Sequence, residues 1–325
     1  MSMLERLLSG NGATGLQKNR VAQFRGSIAH RFDESYVRRT KRVYDALDFL
    51  GWFFDSVDVS IEGERITELS EQSEELRQHL GSSGRVVYIA NHLSHADYIA
   101  MGHLFMQNGI KLPRFAAGAN LDLPLLKLIG LDFRRMGAFF IDRDLAARAD
   151  TKDKKAYFLA LKKTIRTMLD KREHLFVFPD GGRRYDGGVM TDESKVKKRV
   201  FEIAVDYSSQ TGNSVTMVPV AIGYNRRVEE IVFPLLGHVN QRRNILERGA
   251  YYLLDAAAIA SWPIARALGF YHPAHCYINI GTPRAVSDIV NTNGQQPWQQ
   301  LRHHAVEQIR RLYAGIRDQM EERGH

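Results

Sequence analysis

The chain has 325 residues, 44% of them hydrophobic and 25% charged, which is enough apolar material for a real core and excludes global disorder. Its single cysteine, Cys276, excludes an intrachain disulfide framework and fits a reducing compartment. The net charge of +8 calls for an acidic partner: lipid headgroups, an acidic carrier protein, nucleic acid and a phosphorylated substrate all qualify.

The start, MSMLERLLSGNG, lacks the cationic and long apolar stretches of a secretory signal. Gly10 to Gly15 matches G-x-G-x-x-G. The segment before it reads as helix and no βαβ unit follows, so it is expected to be a turn and not a dinucleotide site. Residues 1–83 are expected to be mostly helical, ahead of an α/β domain over 84–325 that ends in a C-terminal helix. Within the first region Val37 to Phe54 mixes basic residues with aromatics around Trp52. That face either packs on the next domain or meets a lipid interface.

From Gly84 the texture changes. Arg85 to Ala90 is a β-branched run, followed by a polar loop and a helical stretch from about Asp97 to Gln107. A lysine-rich helix is expected from Thr151 to Arg172, and short apolar strands at Leu175 to Pro179, Ser214 to Tyr224 and Cys276 to Ile280. Alternating strands and helices predict an α/β fold, with a largely parallel or mixed central sheet flanked by helices and an N-terminal helical extension. No apolar run reaches the length of about 18 residues needed to cross a bilayer. Gly249 to Phe270 comes nearest but carries Asp255, Pro263 and Arg266, and suits a membrane surface better than a span.

Four segments carry candidate chemistry. Asn91-His92-Leu93-Ser94-His95-Ala96-Asp97 follows the first strand of the α/β region, where such folds place their sites. With His92 in the loop and Asp97 at the helix start, the carboxylate can accept the Nδ1 proton and leave Nε2 as a base. Two plainer readings stay open: Asp97 caps the helix, or His92, His95 and Asp97 form a metal site, for which no further ligand cluster stands nearby. With 12 histidines, a chance H-x4-D is expected on the order of once per chain. Gly137 to Arg143, preceded by Arg134-Arg135, is an apolar strand ending in a cation. Phe178-Pro179-Asp180-Gly181-Gly182-Arg183-Arg184 is a strand end with a glycine pair and two arginines, and Val218-Pro219-Val220 is a buried strand containing proline. Loops bearing Arg143 and Arg183 can converge on an anionic group and hold it by bidentate hydrogen bonds. Lys195 and Lys197 read as solvated lysines.

In order and spacing these segments resemble the four motifs of the glycerolipid acyltransferase superfamily, over roughly Gly84 to Pro283. The likeness is greatest to its glycerol-3-phosphate and dihydroxyacetone-phosphate branch, through Ala116 to Leu121 and the Gly-Gly-Arg of the third motif. The resemblance implies transfer of a fatty acyl group from acyl-CoA or acyl carrier protein to the hydroxyl of a phosphorylated glycerol. It assigns His92 as base, Asp97 as its orienting carboxylate, and Arg143, Asp180, Gly181, Gly182, Arg183 and Arg184 to the acceptor. No metal or other cofactor is implied, and Cys276 is expected to be dispensable. Backbone amides at the start of the Asp97 helix are the expected oxyanion donors, and Leu121 to Leu131 a candidate acyl groove. The implied location is cytoplasmic, peripheral at the inner face of the cell membrane, with an anionic lipid surface as partner. Two departures bear on the acceptor: Asp180 stands where the family usually has glutamate, and Asp142 where the branch often has arginine. The rival readings are a lysophosphatidate or other lysolipid acyltransferase, and a non-enzymatic basic protein bound to membranes. Nucleic acid is set aside, because no helix-turn-helix, zinc-finger or aromatic-basic signature occurs.

Overall fold

In the computed structural model the elements run, in chain order, α1 (Gly15–Ile28), α2 (Glu34–Ala46), β1 (Ser56–Ile61), β2 (Glu64–Arg65), β3 (Arg85–Ala90), α3 (Ala96–Gln107), β4 (Arg114–Gly118) and β5 (Phe139–Ile141). They continue with α4 (Thr151–Asp170), β6 (Leu175–Val177), a 3-10 turn (Glu193–Lys195), α5 (Arg199–Thr211), β7 (Val215–Tyr224), β8 (His275–Ile280), β9 (Arg284–Ala285), α6 (Val286–Ile289) and α7 (Pro297–Glu322). The structure describes residues 15–46, 51, 53–66, 76–77, 80, 84–118, 132–142, 145, 151–184, 189–190, 193–227, 274–290 and 296–324. Trp52, the 121–131 run, Arg143 and the 249–270 segment lie outside them. The fold is α/β with a mixed sheet, in two compact units: residues 1–37 with 114–173, and residues 38–113 with 174–325.

The larger unit is built on strands in the order β2-β1-β8-β7-β3-β6. β3 runs parallel to both β6 and β7, with Tyr88 opposite Phe176 on one side and Val218 on the other. Strands covered on both faces need continuous apolar runs, and β3, β6 and β7 supply them: all of β6 and nearly all of β3 and β7 are buried. β8 lies antiparallel to β7 and parallel to β1. The region before Gly84 is thus not helical throughout. Ser56–Ile61 is a full strand of this sheet, and its inward polar groups are matched: Arg323 holds both Asp58 oxygens, and Gln319 reaches Ser60.

Helix α7 covers this sheet with a stripe of Leu301, Ala305, Ile309, Leu312 and Ile316, the spacing of one helical face. Leu312 and Ile316 pack on Ala221 and Tyr277. Gly223 makes that approach possible, since a Cβ there would lie 2.6 Å from the Ile316 side chain. Helix α5 stops at Gly212, whose left-handed φ of 67° and amide bond to Ser208 close the last turn.

In the smaller unit α1 runs alongside α4 in the same direction, pairing Arg20 with Asp153, Phe24 with Tyr157 and Arg25 with Thr167. β4 and β5 pair in parallel. The buried Arg114 guanidinium lies 3.6 Å from the Phe32 ring centre and reaches Glu173, which also bonds His30. Burial pushes the Glu173 carboxyl up, and the hydrogen bond from His30 together with the Arg114 guanidinium outweighs it, holding the carboxyl at about 2.

Candidate active site

Where β3 ends at Ala90, the next side chain continues the ladder. The Asn91 amide donates to the Ile222 carbonyl at 2.8 Å and accepts from the Ile222 amide at 2.8 Å, tying the loop to β7. The loop then turns back so that Asp97, in the first turn of α3, faces it.

The Asp97 carboxylate is fully buried and its contacts are complete on both oxygens. Oδ2 accepts from His92 Nδ1 at 2.7 Å, from the Leu93 amide at 2.9 Å and from the Ser94 amide at 3.2 Å. Oδ1 accepts from the Tyr224 hydroxyl at 2.5 Å. Asp97 does not cap its own helix. Ser94 does part of that work, its Oγ accepting the Ala96 amide at 3.0 Å. An acceptor already facing two amides requires the His92 proton on Nδ1, so the neutral ring carries its lone pair on Nε2.

His92 is 3% exposed, its ring stacked on Phe178 at 4.2 Å between centroids with Tyr98 edge-on at 5.3 Å. The Tyr98 hydroxyl lies 3.5 Å from Nε2. Burial pushes the His92 pKa below its ordinary value; Asp97 opposes this, and the nearby charges of His95 and Arg183 add to the depression. The ring is therefore neutral and basic at neutral pH, the state a general base needs.

The glycine-cushioned loop comes to the same place. After β6 the chain turns at Gly181, with φ +74°, in the left-handed region that glycine enters at no steric cost. The Lys197 amide donates to the Pro179 carbonyl at 2.7 Å, and a Cβ on Gly181 would stand 2.7 Å from Lys197 Cε. The loop then docks on the histidine: the Arg184 amide donates to the His92 carbonyl at 2.8 Å, and Arg227 holds the Arg184 carbonyl at 3.0 Å. Asp180, Gly181, Gly182, Arg183 and Arg184 are all half-buried here. The structure thus brings together His92, Asp97 and residues 180–184, while Arg143 lies outside the described residues.

Four amides at the start of the Asp97 helix are engaged within the loop: those of Leu93 and Ser94 go to Asp97, Ala96 to Ser94 Oγ, and Asp97 to the Ser94 carbonyl. Asp142 serves the chain itself, its Oδ1 accepting the Leu145 amide at 2.8 Å and its amide donating to Tyr157, whose hydroxyl burial pushes up to about 12. Arg134 binds the Ser27 and Ala29 carbonyls at the end of α1, and Arg135 pairs with Asp33. Burial pushes the Cys276 thiol well up, which disarms it as a nucleophile. Among the described residues no group of three His, Cys, Asp or Glu side chains is placed to hold a metal ion.

Asn91 and Phe178 stand in the motifs and Tyr98 adjoins one, but their roles are not legible in the sequence; for Tyr224 no local signal exists.

Residues 67–223 match the family model described as Acyltransferase. Among curated proteins the chain is similar to one named glycerol-3-phosphate acyltransferase from Pseudomonas syringae pv. tomato, 26% identical over 65% of this chain and 22% of that protein. A protein of the same name from Alteromonas mediterranea is 25% identical over 68% of this chain and 24% of its own length. One from Pseudomonas paraeruginosa is 29% identical over 55% of this chain and 19% of its own. The chain thus matches about a quarter or less of these relatives' length.

Proposed function

We propose that the chain is a member of the glycerolipid acyltransferase superfamily, supported by the match of residues 67–223 to the Acyltransferase family model, and that it is an O-acyltransferase using an acyl thioester and glycerol 3-phosphate. The observation that carries this reading is the buried His92–Asp97 pair with the 180–184 loop hydrogen-bonded to the histidine's own carbonyl. It sets a base and an arginine-bearing loop side by side. A base is what an alcohol lacks near neutral pH, and guanidinium groups are what a phosphate monoester binds.

His92 Nε2 takes the hydroxyl proton as the acceptor oxygen bonds to the thioester carbonyl carbon. The imidazolium formed is stabilised by Asp97, and it returns the proton to the departing thiolate as the C–S bond breaks. Arg183 and Arg184 hold the acceptor's phosphate. Gly181 and Gly182 give the loop its turn, and Asp180 begins it. The same pair of side chains would serve a lysolipid acceptor, so the acceptor is decided by experiment.

The test is thiol release from acyl-CoA and from acyl carrier protein, each with glycerol 3-phosphate, dihydroxyacetone phosphate or lysophosphatidate. Acceptor-dependent release strongest with glycerol 3-phosphate is expected; release with lysophosphatidate alone would replace this acceptor. No helix of the described residues is long and apolar enough to cross a membrane. The net charge of +8 supports a peripheral position on the anionic inner face of the cell membrane. Binding to anionic vesicles that weakens as salt rises is the expected result; binding indifferent to salt would contradict it.

A further inference from the structure

We propose that Tyr224, at the end of β7, is a positioning residue for the base: its hydroxyl holds the Asp97 carboxylate by the oxygen that His92 does not use. This rests on the reading of His92 and Asp97 as the base and its carboxylate.

Asp97 Oδ2 is saturated from its own loop, by the Leu93 and Ser94 amides and His92 Nδ1. Those donors sit on one side and leave the carboxylate free to pivot about them. Oδ1 is fixed by the Tyr224 hydroxyl at 2.5 Å, from a residue 127 positions away on a different element. That donor is itself braced: the ring stacks on Phe54 at 5.6 Å with an interplanar angle of 14°, and Tyr224 is paired with Cys276 in the β7–β8 ladder. β7 is tied to the catalytic loop independently by the Asn91–Ile222 bridge. The sheet therefore sets the direction of the carboxylate, and the carboxylate sets the ring.

The hydroxyl also disperses the charge on Asp97. Without it the carboxylate is a stronger base and holds the His92 proton more firmly, so the ring gives up that proton at higher pH. The other charged or titratable groups facing this pair are His95 and Tyr98 on the loop and α3, Arg183 after β6, and Cys276 from β8. Tyr224→Phe keeps the stacked ring and these side chains, and removes the hydroxyl's contacts with Asp97 and with the Cys276 thiol.

The experiment is Tyr224→Phe, checked for fold by near-ultraviolet circular dichroism. Two readouts follow: the pH dependence of kcat and kcat/KM, and titration of His92 by nitrogen-15 NMR against a His92→Gln reference spectrum. We expect kcat to fall roughly tenfold, acceptor KM to hold within about twofold, and both the acid limb and the His92 titration to move to higher pH. A fall in kcat with an unmoved His92 titration means Tyr224 only packs, and overturns the inference. So does an unchanged enzyme. Should wild type transfer no acyl group to any acceptor, the function reading fails, and the NMR titration alone decides the role of Tyr224. If the Phe variant does not fold, incorporation of 3-fluorotyrosine decides instead. Its more acidic hydroxyl must move the His92 titration to lower pH, and no movement overturns the inference.

Discussion

Replacing Asp97 by asparagine removes one charge and almost no volume, and the local hydrogen bonds decide which way the new amide faces. If Nδ2 took the place of Oδ2, it would confront three donors: the Leu93 and Ser94 amides, which are backbone and cannot turn, and His92 Nδ1. If Nδ2 takes the place of Oδ1, it meets the Tyr224 hydroxyl, which can rotate and accept. The second arrangement keeps every bond, so the amide oxygen stays on His92 and the Nε2 lone pair is preserved. Only the charge is lost. At an effective dielectric of about 20, two charges about 4 Å apart interact by roughly 4 kcal/mol, and the neutral hydrogen bond retained recovers about 1 kcal/mol. The barrier should rise by about 2 to 3 kcal/mol, a fall in kcat of roughly 30- to 150-fold. Initial rates of thiol release at saturating thioester and acceptor measure it. A fall of about 10^4-fold, the scale of a reversed tautomer, would show that the amide turned the other way and refute the clamp. A fall below about threefold would show that the charge is not used.

Two further outcomes follow from the loop and from the smaller unit. Gly181→Ala forces a side chain into the left-handed region at φ +74° and against Lys197. It should raise the KM for the phosphorylated acceptor several-fold while the protein loses about 1 to 2 kcal/mol of stability; an unchanged KM would detach this loop from acceptor binding. Glu173 ionises at about 2 in the folded chain against an ordinary 4.5. Its contribution is therefore complete above pH 4.5 and fades as the pH falls toward 2, and a depression of that size corresponds to about 3 kcal/mol. Urea unfolding of Glu173→Gln should show a deficit of this order at pH 7 that shrinks near pH 2 to 3; an equal deficit at both would assign the loss to packing.

The strands that bear the site were readable because strands buried on both faces must be apolar throughout, as Val86 to Ala90 and Met217 to Tyr224 are. The His92–Asp97 pairing was readable because both partners lie within one loop and the first turn of its helix. β1 was not, since Ser56–Ile61 alternates buried apolar residues with Asp58 and Ser60, whose partners Arg323 and Gln319 lie more than 250 residues away. Tyr224 was hidden for the same reason: nothing near it in sequence says that its hydroxyl reaches Asp97. The basic character of Arg134-Arg135 alone does not reveal that in the fold the doublet binds the end of α1 and Asp33. A tight loop uses its own amides, as those of Leu93, Ser94, Ala96 and Asp97 show.

The central claim is that His92, buried and depressed in pKa beside Asp97, is the base that activates the acceptor hydroxyl. The most direct measurement is the pH profile of acceptor-dependent thiol release by wild type and by His92→Ala. The account predicts a wild-type profile flat through neutrality that falls only below pH 6.5, the ordinary histidine value. It predicts that His92→Ala loses at least about 10^3-fold in kcat with acceptor KM little changed. Acceptor-dependent release that survives in His92→Ala, with the same acid limb, would contradict it.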